Sequence, residues 1–248
     1  MLATEALVKR FGGLVATDQL SIAVTEGELH AVIGPNGAGK TTLIAQLSGE
    51  LLPDAGTIRF FGEDVTALPA YQRSLRGLAR SFQITSIFQE FTALDNVALA
   101  AQAHAGHSFR FWRPARRDPR LREPALAMLD QVGLSARADV TAAHLAHGEK
   151  RALEIAMALA TGPKLLLLDE PTAGMGPEDS ARMVRFLARL KGSLTILLIE
   201  HDMDAVFALA DRITVLVYGR AIASGLPTEI RDNPEVRQAY LGEESITQ

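Results

Sequence analysis

Three apolar runs in this chain lack polar alternation: Glu28-Leu-His-Ala-Val-Ile33, Leu165-Leu-Leu-Leu168 and Leu194-Thr-Ile-Leu-Leu-Ile199. They are too short for ordinary helices, and their pattern predicts strands covered on both faces, as in a parallel sheet flanked by helices. Ile213-Thr-Val-Leu-Val-Tyr218 reads as another strand. Nearer the start, Leu20-Ser-Ile-Ala-Val24 alternates as a half-buried strand should, and Thr57-Ile-Arg-Phe-Phe61 follows a Pro-Asp-Ala-Gly turn signal. The helical period appears in Thr42–Ser48, with Leu43, Ile44 and Leu47 on one face and Gly49 as the stop. From about 86 to 145 the chain becomes rich in alanine and leucine, and Leu94–Ala103 and Ala125–Val132 read as helices. Strand–helix alternation returns at Leu165. Strands, a helical insertion and strands again predict an α/β core with an inserted helical subdomain.

Composition narrows the class. The chain has 248 residues, is 48% apolar, carries a net charge of −4 and has no cysteine. The length suits one large α/β domain or two small ones. Without cysteine there is no disulfide scaffold, thiol catalysis or zinc–thiolate site. The mild acidity argues against a general nucleic-acid binder. No apolar run reaches the roughly 18 residues of a membrane span, and Met1-Leu-Ala-Thr-Glu5 has no signal-peptide pattern. The expectation is a cytoplasmic chain able to dock on a membrane protein.

The chemistry begins at Gly34-Pro-Asn-Gly-Ala-Gly-Lys-Thr-Thr42, which fits the phosphate-loop pattern. It lies between a predicted strand and a predicted helix N-terminus, where backbone N–H groups and the helix dipole converge on an anion. Gly34, Gly37 and Gly39 allow positive φ and close approach of the backbone to phosphate. Lys40 can place its ammonium between the β- and γ-phosphates, and Thr41 can give its hydroxyl to Mg²⁺.

Downstream, the strand through Leu168 ends in Asp169 and Glu170, followed by Pro171. In a phosphate-loop protein such a pair has a use: Asp169 can hold Mg²⁺, and Glu170 can polarise the attacking water. A bare acidic cap after a strand is the plainer alternative. His201 follows the strand ending at Ile199 and Glu200, where it can contact a γ-phosphate and orient the water.

Four elements in order now resemble the ATP-binding subunits of ABC transporters: the phosphate loop, Gln83 in Arg80-Ser-Phe-Gln83, the segment Leu145-Ala-His-Gly-Glu-Lys-Arg151, and Leu-Leu-Leu-Leu-Asp-Glu-Pro171. The resemblance covers essentially the whole chain. It implies a phosphate-loop NTPase core, a mixed sheet with flanking helices, plus an antiparallel β subdomain and an inserted helical subdomain. The nucleotide-binding core would span 1–85 and 160–248, and the helical subdomain 86–159. It also implies ATP and Mg²⁺ as ligands, with Pro35, Asn36, Ala38 and Thr42 in the phosphate site beside the residues above. Gln83 would contact Mg²⁺ and link the site to the helical subdomain, and Phe11 would stack on adenine; a core phenylalanine is the plainer reading of Phe11. His201 matches the family's switch histidine. Leu145, Ala146, His147, Gly148 and Glu149 stand in the signature segment, which closes on the γ-phosphate of a second ATPase subunit paired head to tail. The further partners implied are two membrane permeases and, indirectly, an external solute-binding protein, with the chain peripheral on the cytoplasmic face of the membrane.

Ile199-Glu-His-Asp-Met203, Ala173-Gly-Met-Gly-Pro177 and Ala239-Tyr-Leu-Gly-Glu-Glu244 look more narrowly like the ATPase subunits of branched-chain amino-acid importers, a subgroup that also serves urea and related amides. Two departures stand out. Ala146 replaces the signature serine, and Gly176 stands where many relatives carry an aspartate that crosses the dimer interface. The basic aromatic stretch Ser108–Arg120 suits either a permease or lipid contact or a plain solvated insertion. The competing functions are an exporter or lipid-extraction ATPase, which would share every motif, an ABC ATPase acting on nucleic acid, and a small kinase. A single phosphate loop without a heptad run opposes the second, and the signature segment opposes the third.

Overall fold

The computed structural model describes residues 1–81, 87–104 and 118–244. Gln83 and most of the 108–120 stretch lie outside the described residues. An antiparallel sheet forms first. β1 (Leu2–Phe11) pairs with β2 (Leu14–Leu20), with β5 (Ala55–Phe60) and, at its start, with β3 (Ala23–Val24). The short β6 (Glu63–Asp64) flanks β5.

The second sheet has the order β11-β10-β4-β9-β8-β7. Its members are β4 (Leu29–Ile33), β7 (Leu78–Arg80), β8 (Leu165–Asp169), β9 (Thr195–Ile199), β10 (Arg212–Val217) and β11 (Arg220–Gly225). All neighbours are parallel except the β10–β11 hairpin. The unbroken apolar runs have the predicted cause, because every residue of β4, β8 and β9 is buried. Their side chains alternate between two cores. Leu29, Ala31, Ile33, Leu166, Leu168, Ile196 and Leu198 face one; Val32, Leu165, Leu167, Leu197 and Ile199 face the other.

The second of these cores holds α1 (Lys40–Ser48) between the two sheets, through Leu43, Ile44 and Leu47. The first is covered by α3 (Ala93–His104), α4 (Pro119–Gln131), α5 (His147–Ala160), α6 (Pro177–Leu190) and α7 (Met203–Leu209). Of these, α3, α4 and α5 pack against one another. The helices α2 (Ala70–Leu75), α8 (Pro227–Asp232) and α9 (Pro234–Glu244) complete the chain. Among the described residues, no helix is long and apolar enough to cross a membrane.

Several boundaries differ from the sequence expectation, each for a local reason. Leu20–Val24 is not one strand. The Thr4 hydroxyl accepts from the Ile22 N–H at 2.9 Å and donates to the Leu20 carbonyl, and this breaks the pairing at Ser21 and Ile22. Phe61 and Tyr218 leave their strands in the left-handed region, at φ 51° and 47°, to enter turns. The helix expected over Ala125–Val132 starts earlier, at Pro119, because the Asp118 carboxylate caps it by accepting from the Arg120 N–H.

Candidate nucleotide site

The phosphate loop, Asp169, Glu170 and His201 follow the C-terminal ends of adjacent parallel strands. β4 runs into Gly34, β9 into Glu200 and His201, β8 into Asp169 and Glu170, and β7 into Ser81. In open α/β sheets, ligands bind at this edge.

The phosphate loop lies close against its neighbours. A Cβ on Gly34 would sit 2.1 Å from the Leu216 carbonyl oxygen, and one on Gly39 would sit 2.1 Å from that of Ala16. Both residues also have positive φ, so only glycine fits at either place. Gly39 is the N-cap of α1 and brings no side-chain cap, which leaves the first backbone N–H groups of the helix open to an anion. The Lys40 ammonium folds back over the loop and donates to the Gly34 and Pro35 carbonyls, at 2.5 and 2.8 Å. Lys40 and Ala38 are buried, Pro35, Gly39 and Thr42 are partly buried, and Asn36, Gly37 and Thr41 are exposed. The loop is also tied to the β10–β11 turn, where the Gly219 N–H donates to the Ala38 carbonyl.

Asp169 is fully buried. Burial raises its carboxyl above the ordinary aspartate range; the Arg80 charge opposes this and Glu170 adds to it. The Arg80 guanidinium lies 3.4 Å from Oδ2, while Oδ1 has no hydrogen-bond partner among the described residues. A buried, desolvated carboxylate oxygen without a partner suits a hard divalent cation.

Glu170 adopts φ 50°, a strained backbone for a non-glycine residue. Its N–H donates to the Ile199 carbonyl at 2.9 Å. Arg151, from α5, donates to the carbonyls of both Asp169 and Glu170, at 3.2 Å for the latter. The turn therefore points the Glu170 carboxylate outward, where Oε1 meets His201 Nε2 at 2.5 Å. Both side chains remain partly exposed. Nothing in the sequence near Arg151 announces this clamp; only the packing of α5 on β8 reveals it.

Phe11 closes β1 and is 50% exposed, so it is not a core phenylalanine. At the other end of the chain's chemistry, Leu145 is buried while Ala146 and His147 are exposed at the start of α5. Ala146 is the N-cap and has no oxygen to offer. Only the return half of a capping box forms: Glu149 accepts from the Ala146 N–H at 2.9 Å and pairs with Arg137 at 2.9 Å. Gly148 packs beside Asp179, and Gly174 beside the His147 imidazole.

A sequence model of the ABC transporter family matches residues 17–173, and one of the branched-chain amino acid ATP-binding cassette transporter matches residues 222–245. The chain belongs to the ABC transporter family. Among its relatives, the high-affinity branched-chain amino acid transport ATP-binding protein BraF of Pseudomonas aeruginosa is 40% identical over 250 residues, covering 98% of each chain. A lipopolysaccharide export system ATP-binding protein, LptB of Acidithiobacillus ferridurans, is 34% identical over 245 residues, again with 98% of each covered. The crystal structure of an ABC transporter's ATP-binding cassette in its ADP conformation superposes with a TM-score of 0.85 at 32% identity, with 98% of each chain covered. This ABC cassette is thus an ATPase domain, with the expected phosphate-loop fold.

Proposed function

We propose that this chain hydrolyses ATP to power an importer of branched-chain amino acids or related small polar solutes. The observation that carries the importer reading is the match of residues 222–245 to the branched-chain cassette model. It adds to the whole-chain likeness to BraF. Likeness over the whole chain is shared with an export protein and does not by itself give direction.

In the proposed site, the N–H groups of Gly34–Thr42 bind the phosphates. Lys40 exchanges its loop carbonyls for phosphate oxygens, and the exposed face of Phe11 stacks on adenine. Thr41, Asp169 and Gln83 would hold Mg²⁺, which when bound neutralises charge on the β- and γ-phosphates. Glu170 is the base that accepts a proton from the attacking water. With Glu170 ionised, His201 donates through Nε2 to the carboxylate, which supports that orientation.

A second ATPase subunit completes the site by head-to-tail pairing, through Leu145–Glu149. The missing signature hydroxyl removes one hydrogen bond to a charged phosphate, worth about 1.5–3 kcal/mol. The uncapped amides at the start of α5 and the exposed His147 imidazole stand in for it. The Arg137–Glu149 pair reduces the negative charge that Glu149 brings to this surface. In this reading residues 86–159 form the helical subdomain that meets two permeases, and the chain sits on the cytoplasmic face of the membrane.

The test is reconstitution with the cognate permeases and solute-binding protein in vesicles. ATP-dependent leucine uptake that Lys40→Ala abolishes is expected. Outward lipid transfer without uptake would replace the importer reading with the export one. Hydrolysis undiminished in Lys40→Ala would overturn the site assignment itself.

A further inference from the structure

Glu200 is a buried carboxylate, 4% exposed, that the proposed chemistry does not use. Its Oε1 accepts from the Thr172 N–H at 3.0 Å and from the Thr172 hydroxyl. Its Oε2 accepts from the His201 N–H at 2.9 Å. These bonds close a ring. The chain runs from Glu170 through Pro171 to Thr172, crosses by hydrogen bonds to Glu200, passes covalently to His201, and returns from His201 Nε2 to Glu170 Oε1 at 2.5 Å. A second cross-link, from the Glu170 N–H to the Ile199 carbonyl, ties the same two strand ends together.

Resting on the ATPase reading above, we infer that Glu200 is a positioning residue: it fixes the separation and orientation of Glu170 and His201 by tying Thr172 to the His201 backbone. A buried carboxylate here is otherwise costly, because its desolvation must be offset by the donors it gathers. Those donors come from the two segments that carry the reacting pair. A carboxylate serves this junction where an amide cannot, since the two backbone groups facing its two oxygens, the N–H of Thr172 and that of His201, can only donate. With Glu200→Gln, the amide NH₂ must point at either Thr172 or the His201 N–H, and one bond becomes a donor–donor contact. The same ring reaches further. Thr172 leads into Gly174, whose backbone packs on His147 of the signature segment.

The experiment compares Glu200→Gln and Thr172→Val in the full chain. Nucleotide affinity is read with a fluorescent ATP analogue and turnover by single-turnover hydrolysis. Misplacement of a reacting group by about 1 Å can cost on the order of 100-fold. Turnover in Glu200→Gln should therefore fall by about 10- to 100-fold with nucleotide affinity unchanged. Thr172→Val, which keeps shape and the backbone N–H, should show a smaller fall of the same kind. Glu200→Asp, which keeps the charge, should recover part of the rate. The decisive measurement is the double variant: if Glu200 acts only through the pair, adding Glu200→Gln to His201→Ala lowers turnover no further. Wild-type turnover in both single variants would overturn the inference, as would losses that multiply in the double variant. If Glu200→Gln fails to fold, Thr172→Val alone carries the test, and unchanged turnover there overturns it. Failure of the ATPase reading is seen separately, as hydrolysis that Lys40→Ala leaves intact.

Discussion

At the residue scale, two carboxylates one position apart have opposite surroundings, and their expected roles follow. Asp169 is sealed among buried side chains, with one oxygen on Arg80 and one without a protein partner among the described residues. Glu170 is turned outward by its left-handed backbone and meets His201. Removing a general base costs about 10²- to 10⁴-fold in rate. Glu170→Gln should therefore bind ATP with wild-type affinity and lose turnover by that factor in a steady-state assay. Asp169→Asn keeps the shape but weakens a cation site. Its expected signature is a raised Mg²⁺ requirement for hydrolysis, read by titrating the metal at fixed ATP. Both carboxylates were legible from the apolar strand that precedes them. Their different environments were not, because they depend on Arg80 and Arg151, which come from β7 and α5.

At the element scale, the phosphate-loop helix ends on an unexpected plug. The buried guanidinium of Arg73, in α2, donates to the Gln46 and Leu47 carbonyls of α1 at 2.6 and 2.8 Å, and to those of Leu68 and Thr66 at 2.9 Å each. Burial lowers its pKa to about 10, so it stays charged at neutral pH beside the negative end of the α1 dipole. Arg73→Met leaves those carbonyls buried without donors. A loss on the order of 3 kcal/mol is expected in denaturant unfolding. Arg73→Lys should recover little of it, since one ammonium cannot span groups on separate segments. In α4 the opposite holds. Pro124 lies inside the helix beyond its first turn and removes a backbone donor. Pro124→Ala should stabilise, by no more than the roughly 3 kcal/mol interior cost of proline, read as a rise in melting temperature. The helical period of α1 was plain in the sequence, as was its stop at Gly49. The plug was not, because a lone arginine in a short polar helix reads as a solvated surface residue.

At the scale of the whole molecule, one acid-sensitive contribution to stability lies at the edge of the parallel sheet opposite the site. Burial pushes the Glu28 carboxyl up, but hydrogen bonds from His30 and Thr25 outweigh it and hold it down at about 2. The fully buried His30 bridges Glu28 at 2.8 Å and the Thr214 hydroxyl at 2.8 Å, joining β4 to β10. A carboxylate held below its ordinary value stabilises the fold at neutral pH, and that contribution fades as pH falls from about 4.5 toward 2. His30→Leu removes the first of those donors. The mid-point of acid unfolding should then move to higher pH, followed by circular dichroism; an unchanged mid-point would show that the pair adds nothing.

The division of labour between sequence and tertiary structure follows from the range of the forces involved. Hydrophobic period and turn chemistry act over a few residues, so the sequence by itself determined β4, β8, β9, β10, α1 and the helices α3 and α4, while the three-residue parallel strand β7 is too short to show a period. A phosphate loop is a local backbone device, so it too was readable in one dimension. β1 shows no strand period in the sequence because its alternation changes phase: Leu2 and Thr4 point inward, a bulge at Ala6 follows, and Leu7 is the next inward residue. What only the tertiary structure decided is how distant segments satisfy one another's buried polar groups. Arg73 on α1, Arg151 on the Asp169–Glu170 turn, and Glu200 between Thr172 and His201 are all contacts across many residues of chain. A buried polar group must find a partner wherever the fold brings one. No local pattern records which partner that is.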